Sequence, residues 1–218
     1  MGHNNHYNEY ELGGIEIKSV DQERDLGVVL HKNGKKTEQC IIAANKANKI
    51  LGMIKRNIKY KSKSIMINLY KALVRPRLEY CIQAWNPNLE KDIKLLERVQ
   101  RRATKMIEGF GNMCYDKRLE ETKLTRLMDR RIRGDLIETF KIIKGIDKVD
   151  YTKFFTLAND DRLRGHSLRL LKKRCNLVVR SSFFSQRIVN VWNSLPNEVV
   201  EAESVNTFKN RLDKFKYF

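Results

Sequence analysis

The sequence predicts a mainly α-helical protein with a small β-hairpin near its start, a second short strand pair farther on, and a helical bundle followed by a smaller C-terminal region. Three observations predict it. From about residue 36 onward, apolar residues recur at spacings of three and four, the period of a helix with one buried face. Before that, Ile15–Val20 alternates apolar with polar residues, and Leu26–Leu30 is a short apolar run stopped by Asn33-Gly34; both read as strands. Finally, 41% of the 218 residues are hydrophobic, enough to bury a sizeable core.

The elements follow in order. Ala44, Ala47, Leu51, Ile54 and Ile58 make one stripe on a helix over residues 36–57. Ser62 or Ser64 is placed to cap the next helix, whose apolar positions Ile65, Leu69, Ala72 and Leu73 run up to Arg75-Pro76, where proline is expected to bend or interrupt it. A segment through Leu78–Trp85 closes at Asn86-Pro87. Leu96, Val99, Ala103 and Met106 predict a helix over residues 89–107 that ends at Gly109 and Gly111. A short segment over 115–122 precedes a helix over 127–144 carrying Ile132, Leu136, Phe140 and Ile143. The stretch 147–164 is polar and marks a boundary between subregions. Beyond it, Ser167–Leu171 and Cys175–Arg180 are expected to pair as strands, with helices over Phe183–Trp192 and Val205–Phe215 on either side of the Leu195-Pro196 turn. The expected organisation is a polar segment (1–14), a hairpin (15–34), a helical region (35–108), a helical connector (109–146) and an α+β region (147–218).

Forty-four Lys and Arg against twenty-six Asp and Glu leave a formal charge of +18. Such an excess calls for a polyanionic partner, with nucleic acid first. An anionic membrane surface ranks well behind, because the cations recur along the whole chain and are not gathered in one amphipathic segment. No apolar run approaches the roughly 20 residues that span a bilayer, and the polar opening Met1–Glu11 lacks the apolar stretch of a signal peptide. The expectation is an intracellular, cytoplasmic or nuclear protein that is not secreted. Cys40, Cys81, Cys114 and Cys175 are far apart, without a Cys-x-x-Cys pair; they are expected to be reduced and mostly buried, holding no metal.

The sharpest functional signal is on the helix over 89–107. Lys91, Lys94, Arg98, Arg101 and Lys105, with Arg102 beside them, repeat nearly opposite its apolar face, while Asp92 and Glu97 lie off that ladder. Long cations at this spacing on one helix face can meet several phosphates at once, whereas a merely solvated face is usually interleaved with acids. Lys55, Arg56 and Lys59, with Lys61 and Lys63, are a second cluster, Arg130 and Arg131 with Arg133 a third, and Leu171-Lys-Lys-Arg174 a fourth. Of the aromatics among these stretches, Tyr70 reads as core, and Tyr60 alone remains open to stacking on a base. No catalytic constellation is evident. Asp160-Asp161 lacks the flanking strands and further acid of a two-metal site, and reads as a loop turn or helix cap. His166 reads as a packed or capping residue, since no nucleophile or acid points to it. No cofactor is expected.

One resemblance is carried by motifs in order. Arg24-Asp-Leu-Gly-Val28, Lys46-Ala-Asn-Lys-Ile-Leu-Gly52 with Ile54-Lys-Arg56, Leu69-Tyr-Lys-Ala-Leu-Val-Arg-Pro-Arg-Leu-Glu-Tyr-Cys81 and Trp85-Asn-Pro87 come first. Leu96-Glu-Arg-Val-Gln-Arg-Arg-Ala-Thr-Lys105, Arg130-Arg-Ile-Arg-Gly-Asp135, Arg164-Gly-His166, Phe184-Ser-Gln-Arg-Ile-Val-Asn-Val-Trp-Asn193, Leu195-Pro196 and Phe208-Lys209 follow. Together they resemble, over residues 10–218, the C-terminal half of reverse transcriptases of jockey-like non-LTR retrotransposons. The resemblance implies the last hairpin of a palm (15–34), a helical thumb (35–108) that grips the template and primer duplex, and a C-terminal region associated with RNA recognition. The family's aromatic-x-Asp-Asp hairpin belongs upstream of the Leu-Gly-Val strand and is absent. Asp160-Asp161 lies well downstream of the thumb and does not match it. The implied function is that of a nucleic-acid-binding fragment with no polymerase activity of its own, taking RNA or an RNA–DNA duplex through its phosphates. The missing palm and fingers are a further expected partner. The alternatives are a domesticated structural or interaction protein, or a truncated element copy without function.

Overall fold

The change from a two-residue to a helical period near Gly34 divides the chain into two kinds of structure. The computed structural model describes residues 9–158 and 165–215. It groups them into one unit running to Cys81 together with Pro87–Gly111, and a second made of Ile82–Asn86 with the residues from Asn112 onward. Residues 112–146 fall in the second of these units.

In the first unit, β1 (Tyr10–Leu12) pairs antiparallel with β2 (Ile15–Ile17), and β3 (Gln22–Asp25) with β4 (Val28–His31). The expected single hairpin is therefore two. Gly13-Gly14 and Leu26-Gly27 all have positive φ, and a two-residue turn of that hand closes a hairpin by itself. The second hairpin is anchored: the Tyr80 hydroxyl donates to the Leu26 carbonyl at 2.9 Å, and the Val29 N–H donates to Gln39 Oε1 at 3.0 Å. The first is exposed on both faces.

Helix α1 (Thr37–Asn57) buries Cys40, Ala43, Ala44, Ala47, Leu51 and Ile54, close to the expected stripe. Helix α2 (Lys63–Leu69) passes through a π turn (Tyr70–Val74) into α3 (Arg75–Glu79). Proline does not interrupt this helix. Pro76 brings no N–H and crowds the carbonyl four residues back; the π turn, in which the Arg75 N–H bonds the Tyr70 carbonyl, widens the coil just ahead of it. Ser62 stands at the N-cap without a side-chain capping bond. The buried face is Met66, Tyr70, Val74 and Leu78, whereas the expected Ile65 and Leu73 are exposed. Apolar residues line both sides here, and a buried acceptor, Gln100 Oε1, takes the Tyr70 hydroxyl at 2.6 Å and so selects the Tyr70 side.

Helix α4 (Ile82–Trp85) lies in the second unit and α5 (Glu90–Lys105) in the first. The second unit continues with α6 (Tyr115–Thr122), α7 (Leu127–Ile143), α8 (Val178–Ser181), α9 (Phe184–Arg187), α10 (Val189–Asn193), α11 (Asn197–Val200) and α12 (Val205–Lys214). Its core is built on Leu136 and Phe140 of α7, Trp192 of α10, and Phe208 and Leu212 of α12, with the Phe140 and Phe208 rings stacked at 4.3 Å. The expected pairing of 167–171 with 175–180 does not form. Leu170 makes an isolated bridge with Leu157, and its N–H and carbonyl are both taken by the Asn193 amide at 2.8 Å, while Val178–Ser181 coils into α8. The second strand pair lies instead at 22–31, and the class expected from sequence, mainly α with two small strand pairs, holds.

The four cysteines are free thiols, but only Cys40 is buried; Cys81 and Cys114 are exposed and Cys175 is intermediate. The expectation of mostly buried thiols is corrected: three of the four lie at helix ends or in loops. Among the described residues no helix is long and apolar enough to cross a membrane.

Candidate nucleic-acid interface

Helix α5 is the most polarised element. Its inner side sends Leu96, Val99, Gln100, Ala103 and Thr104 into the core. Its outer side exposes Lys91, Lys94, Arg98, Arg101, Arg102 and Lys105. At 100° and 1.5 Å per residue these six cations fall within about 100° of the circumference and span about 21 Å. The acids of the helix are elsewhere. Asp92 is buried and accepts from the Thr37 hydroxyl at 2.8 Å, and Glu97 is buried beside Gln100. Glu90 is the exception: Lys94 Nζ lies 2.7 Å from it, and this hydrogen bond and charge hold the Glu90 carboxyl below its ordinary range. Arg102 donates to Asn48 Oδ1 at 2.8 Å. Lys91, Arg98 and Lys105 have no hydrogen-bond or ion-pair partner among the described residues.

Helix stability explains part of this charge. Lys55 and Arg56 in the last turn of α1, and Arg102 and Lys105 in that of α5, sit where the helix dipole favours cations. Lys91 does not: it is in the first turn, at the positive end of the dipole, where a cation is disfavoured. Lys94 and Arg98, farther along, gain nothing from the C-terminal dipole. Together with Thr37, Ile41, Leu95 and the acids Glu90 and Asp92, these three line a surface groove of about 560 Å³.

Helices α1 and α5 run parallel, since Thr37 meets Asp92 and Asn48 meets Arg102. Their basic C-terminal turns therefore come to one end of the pair. There the loop between α1 and α2 is tied to the end of α5 by the Glu108 N–H donating to the Lys61 carbonyl at 3.0 Å. Lys55, Arg56 and Lys59 are all exposed, as is Tyr60. Tyr70 is core, as expected from its spacing, and Tyr80 is exposed with its hydroxyl engaged on Leu26.

The third cluster is largely not a surface. Arg131 is 1% exposed, inside the second unit, and is withdrawn from the candidate contacts. It was expected outside because it lies between two other arginines, but α7 is packed on more than one side and turns Arg131 inward. Arg130 is half-buried, and Arg133 makes a two-pronged pair with Asp213 at 2.7 and 2.9 Å. Lys173 and Arg174 are exposed, while Lys172 donates to the Gln186 carbonyl.

Several residues of the second unit have mechanical roles. Arg187 donates from Nε and Nη2 to both oxygens of Asp135 at 2.8 and 2.9 Å, and its remaining N–H groups reach the carbonyls of Ile82, Gln83 and Ser182 at 3.1–3.2 Å. One guanidinium at the end of α9 thus joins α4, α7 and the end of α8. Gly134 allows α7 to approach α4: a Cβ there would stand 3.0 Å from Ile82 Cδ1. His166 is buried, with Nε2 3.0 Å from the Trp192 carbonyl and its ring edge-on to the indole; burial lowers its pKa. The Trp192 indole N–H in turn donates to the Leu168 carbonyl at 2.8 Å. Histidine is packed here, as its sequence context suggests, and sequence reasoning missed the Asp135–Arg187 pair. The separation of 52 positions hid it; an acid and an arginine each inside an otherwise apolar helical face was the available signal.

Asp160-Asp161 lies outside the described residues. Among those described, no three His, Cys, Asp or Glu side chains gather as metal ligands. No protein-family model, curated protein or solved structure matches the chain.

Proposed function

We propose that the chain is a nucleic-acid-binding element that grips RNA or an RNA–DNA duplex by its phosphates through the outer face of α5. In this reading it corresponds to the thumb and C-terminal region of a retrotransposon reverse transcriptase, without the catalytic aspartates and without polymerase activity of its own. One observation carries the proposal. Six cations share one exposed face of α5 while Asp92 and Glu97 turn inward, and Lys91 opposes the helix dipole, so helix stability alone does not account for the arrangement.

The test is salt dependence. Five duplex phosphate contacts release counterions with a slope of about −4.5 in log K against log salt, which weakens binding roughly 500-fold between 50 and 200 mM salt. Replacing Lys94, Arg98, Arg101, Arg102 and Lys105 together by Gln should flatten that slope and weaken binding to all sequences alike. Affinity that barely changes with salt, or is unaltered by the five replacements, overturns the proposal. Primer extension with template, magnesium and nucleotides should give no product; any extension by the purified chain refutes the absence of polymerase activity.

A second reading, as an interaction protein, draws on the first hairpin. The register Tyr10↔Ile17 and Leu12↔Ile15 puts four apolar side chains on one face, each more than half exposed. A two-stranded ribbon with such a face and open edges suits a protein partner. Unchanged nucleic-acid binding by the five-fold Gln variant would favour it.

A further inference from the structure

We infer that Tyr60 is a base-stacking residue at the end of the α5 phosphate track, and that its ligand is an unpaired nucleotide. The chain then prefers single strands, and duplexes with an overhang, to blunt duplexes. This rests on the phosphate-gripping reading above and adds a base contact to it.

Four observations converge on Tyr60. It is 71% exposed, more than Tyr10 or Tyr80, so packing does not explain it. Its hydroxyl has no hydrogen-bond partner among the described residues, unlike those of Tyr70 and Tyr80, which are bonded to Gln100 and Leu26. Its backbone is held in place. The loop leaves α1 with the Ile58 N–H still bonded to the Ile54 carbonyl, and is fastened to the end of α5 through Lys61 and Glu108, both at 3.0 Å. The ring is therefore presented from a fixed stem and loses little freedom when it captures a base. Lastly, Tyr60 stands where the parallel helices bring their basic ends together. Lys55 and Arg56 close α1, Arg102 and Lys105 close α5, and Lys59 Nζ lies 5.8 Å from the ring centroid. Glu108 is exposed at this end too, and the cations outnumber it.

Phosphate contacts alone do not distinguish strand states. A π-face beside cations does, because every unpaired base offers a face to stack on while a paired base is already stacked within its duplex. Lys59 at the ring adds positive charge where the phosphate of a stacked nucleotide arrives.

The experiment uses the whole chain with a pyrimidine 12-mer, the same strand in a blunt duplex, and a duplex carrying a short overhang. Trp85 and Trp192 are 1% and 0% exposed, so an indole introduced by Tyr60→Trp reports contact at this position. Its fluorescence should be quenched by the single strand and the overhang, and little by the blunt duplex. Tyr60→Leu should weaken single-strand binding about 5- to 150-fold, the equivalent of one stacked base. It should leave the salt slope and blunt-duplex affinity unchanged, and Tyr60→Phe should retain full affinity. Unquenched fluorescence with unchanged single-strand affinity, while salt-dependent binding persists, overturns the stacking inference and leaves the phosphate reading standing. Equal losses on single strand and blunt duplex overturn it as well. Absence of salt-dependent binding to any of the three overturns both.

Discussion

Replacing Arg187 by Ala tests the central tie of the second unit. The guanidinium makes two bonds to Asp135 at 2.8 and 2.9 Å and others to the carbonyls of Ile82, Gln83 and Ser182. The side chains are 15% and 2% exposed, so solvent does little to screen the pair. Its removal takes away the two-pronged bond to the buried Asp135 carboxylate, and breaking a buried pair of this kind costs about 3–5 kcal/mol. Against a total of about 5–15 kcal/mol for a domain of ordinary stability, that is a large share. Trp85 and Trp192 both lie in this unit and are buried, so urea unfolding followed by their fluorescence reads the second unit directly. The control is Arg133→Ala, which breaks the pair with Asp213, whose side chains are 26% and 52% exposed; screening limits that loss to about 1 kcal/mol or less. Asp135→Leu combined with Arg187→Met should recover part of the loss, because neither charge is then stranded. If Arg187→Ala costs no more than Arg133→Ala, the ion pair is not what joins α4, α7 and α9.

Three further outcomes follow from the same geometry. His166 is held neutral by burial, with Arg169 acting the same way and the Trp192 carbonyl and Glu201 opposing, so its folded pKa lies below the ordinary 6.5. The unfolded chain takes up the proton first. This contribution is therefore complete above about pH 6.5 and is lost as pH falls below it. Asp129 and Glu138, raised by burial, act in the opposite sense, so the His166 part is read as the difference between wild type and His166→Gln in unfolding at pH 5.5 and 7.5; an identical pH dependence refutes it. Gly134→Leu should destabilise the second unit by about 1–3 kcal/mol, since the first added carbon already meets Ile82; an unchanged urea midpoint counts against close approach of α4 and α7. Tyr70→Phe should cost about 1–3 kcal/mol, because it removes the buried donor to Gln100, and a thermal melt followed by far-UV circular dichroism checks it.

What the sequence made legible was whatever periodicity encodes. α1, α5 and α7 lie within one or two residues of their expected spans because each has one apolar face and a clear stop. The face of α2 was misplaced by one position, about 100° of rotation, since Ile65, Leu69 and Leu73 compete there with Met66, Tyr70 and Val74. Only a distant partner, Gln100 on α5, decides between them. The C-terminal strands failed for a related reason. Residues 167–171 and 175–180 have strand-like composition, but Asn193 satisfies the backbone of Leu170 that a neighbouring strand would have used. In the candidate interface, the α5 ladder was readable because its spacing is local. Arg131 was misplaced because its burial depends on what packs around α7.

The residues that hold the fold together and the residues proposed to bind are almost disjoint, and this bears on how function should be tested. Gly27 and Tyr80 shape and pin the second hairpin, Asp135 and Arg187 join three helices, and His166, Trp192 and Asn193 clamp the segment 166–170. Each needs a particular shape or hydrogen-bond pattern and tolerates little change. The α5 cations need only their charge and their exposure, so Lys and Arg serve interchangeably for a screened phosphate contact, and the chain could lose several and still fold. Substituting these buried or bonded residues therefore measures folding, and a loss of binding that follows says nothing about contacts. Charge-removing changes on the exposed face do the reverse. If the proposal holds, Lys91→Gln should weaken binding and also stabilise α5 slightly, by up to about 1 kcal/mol at low salt, because it relieves a cation at the positive end of the dipole. Opposite signs for binding and stability at one residue separate a cation kept for a partner from one kept for the fold. A Lys91→Gln variant that loses both refutes that division.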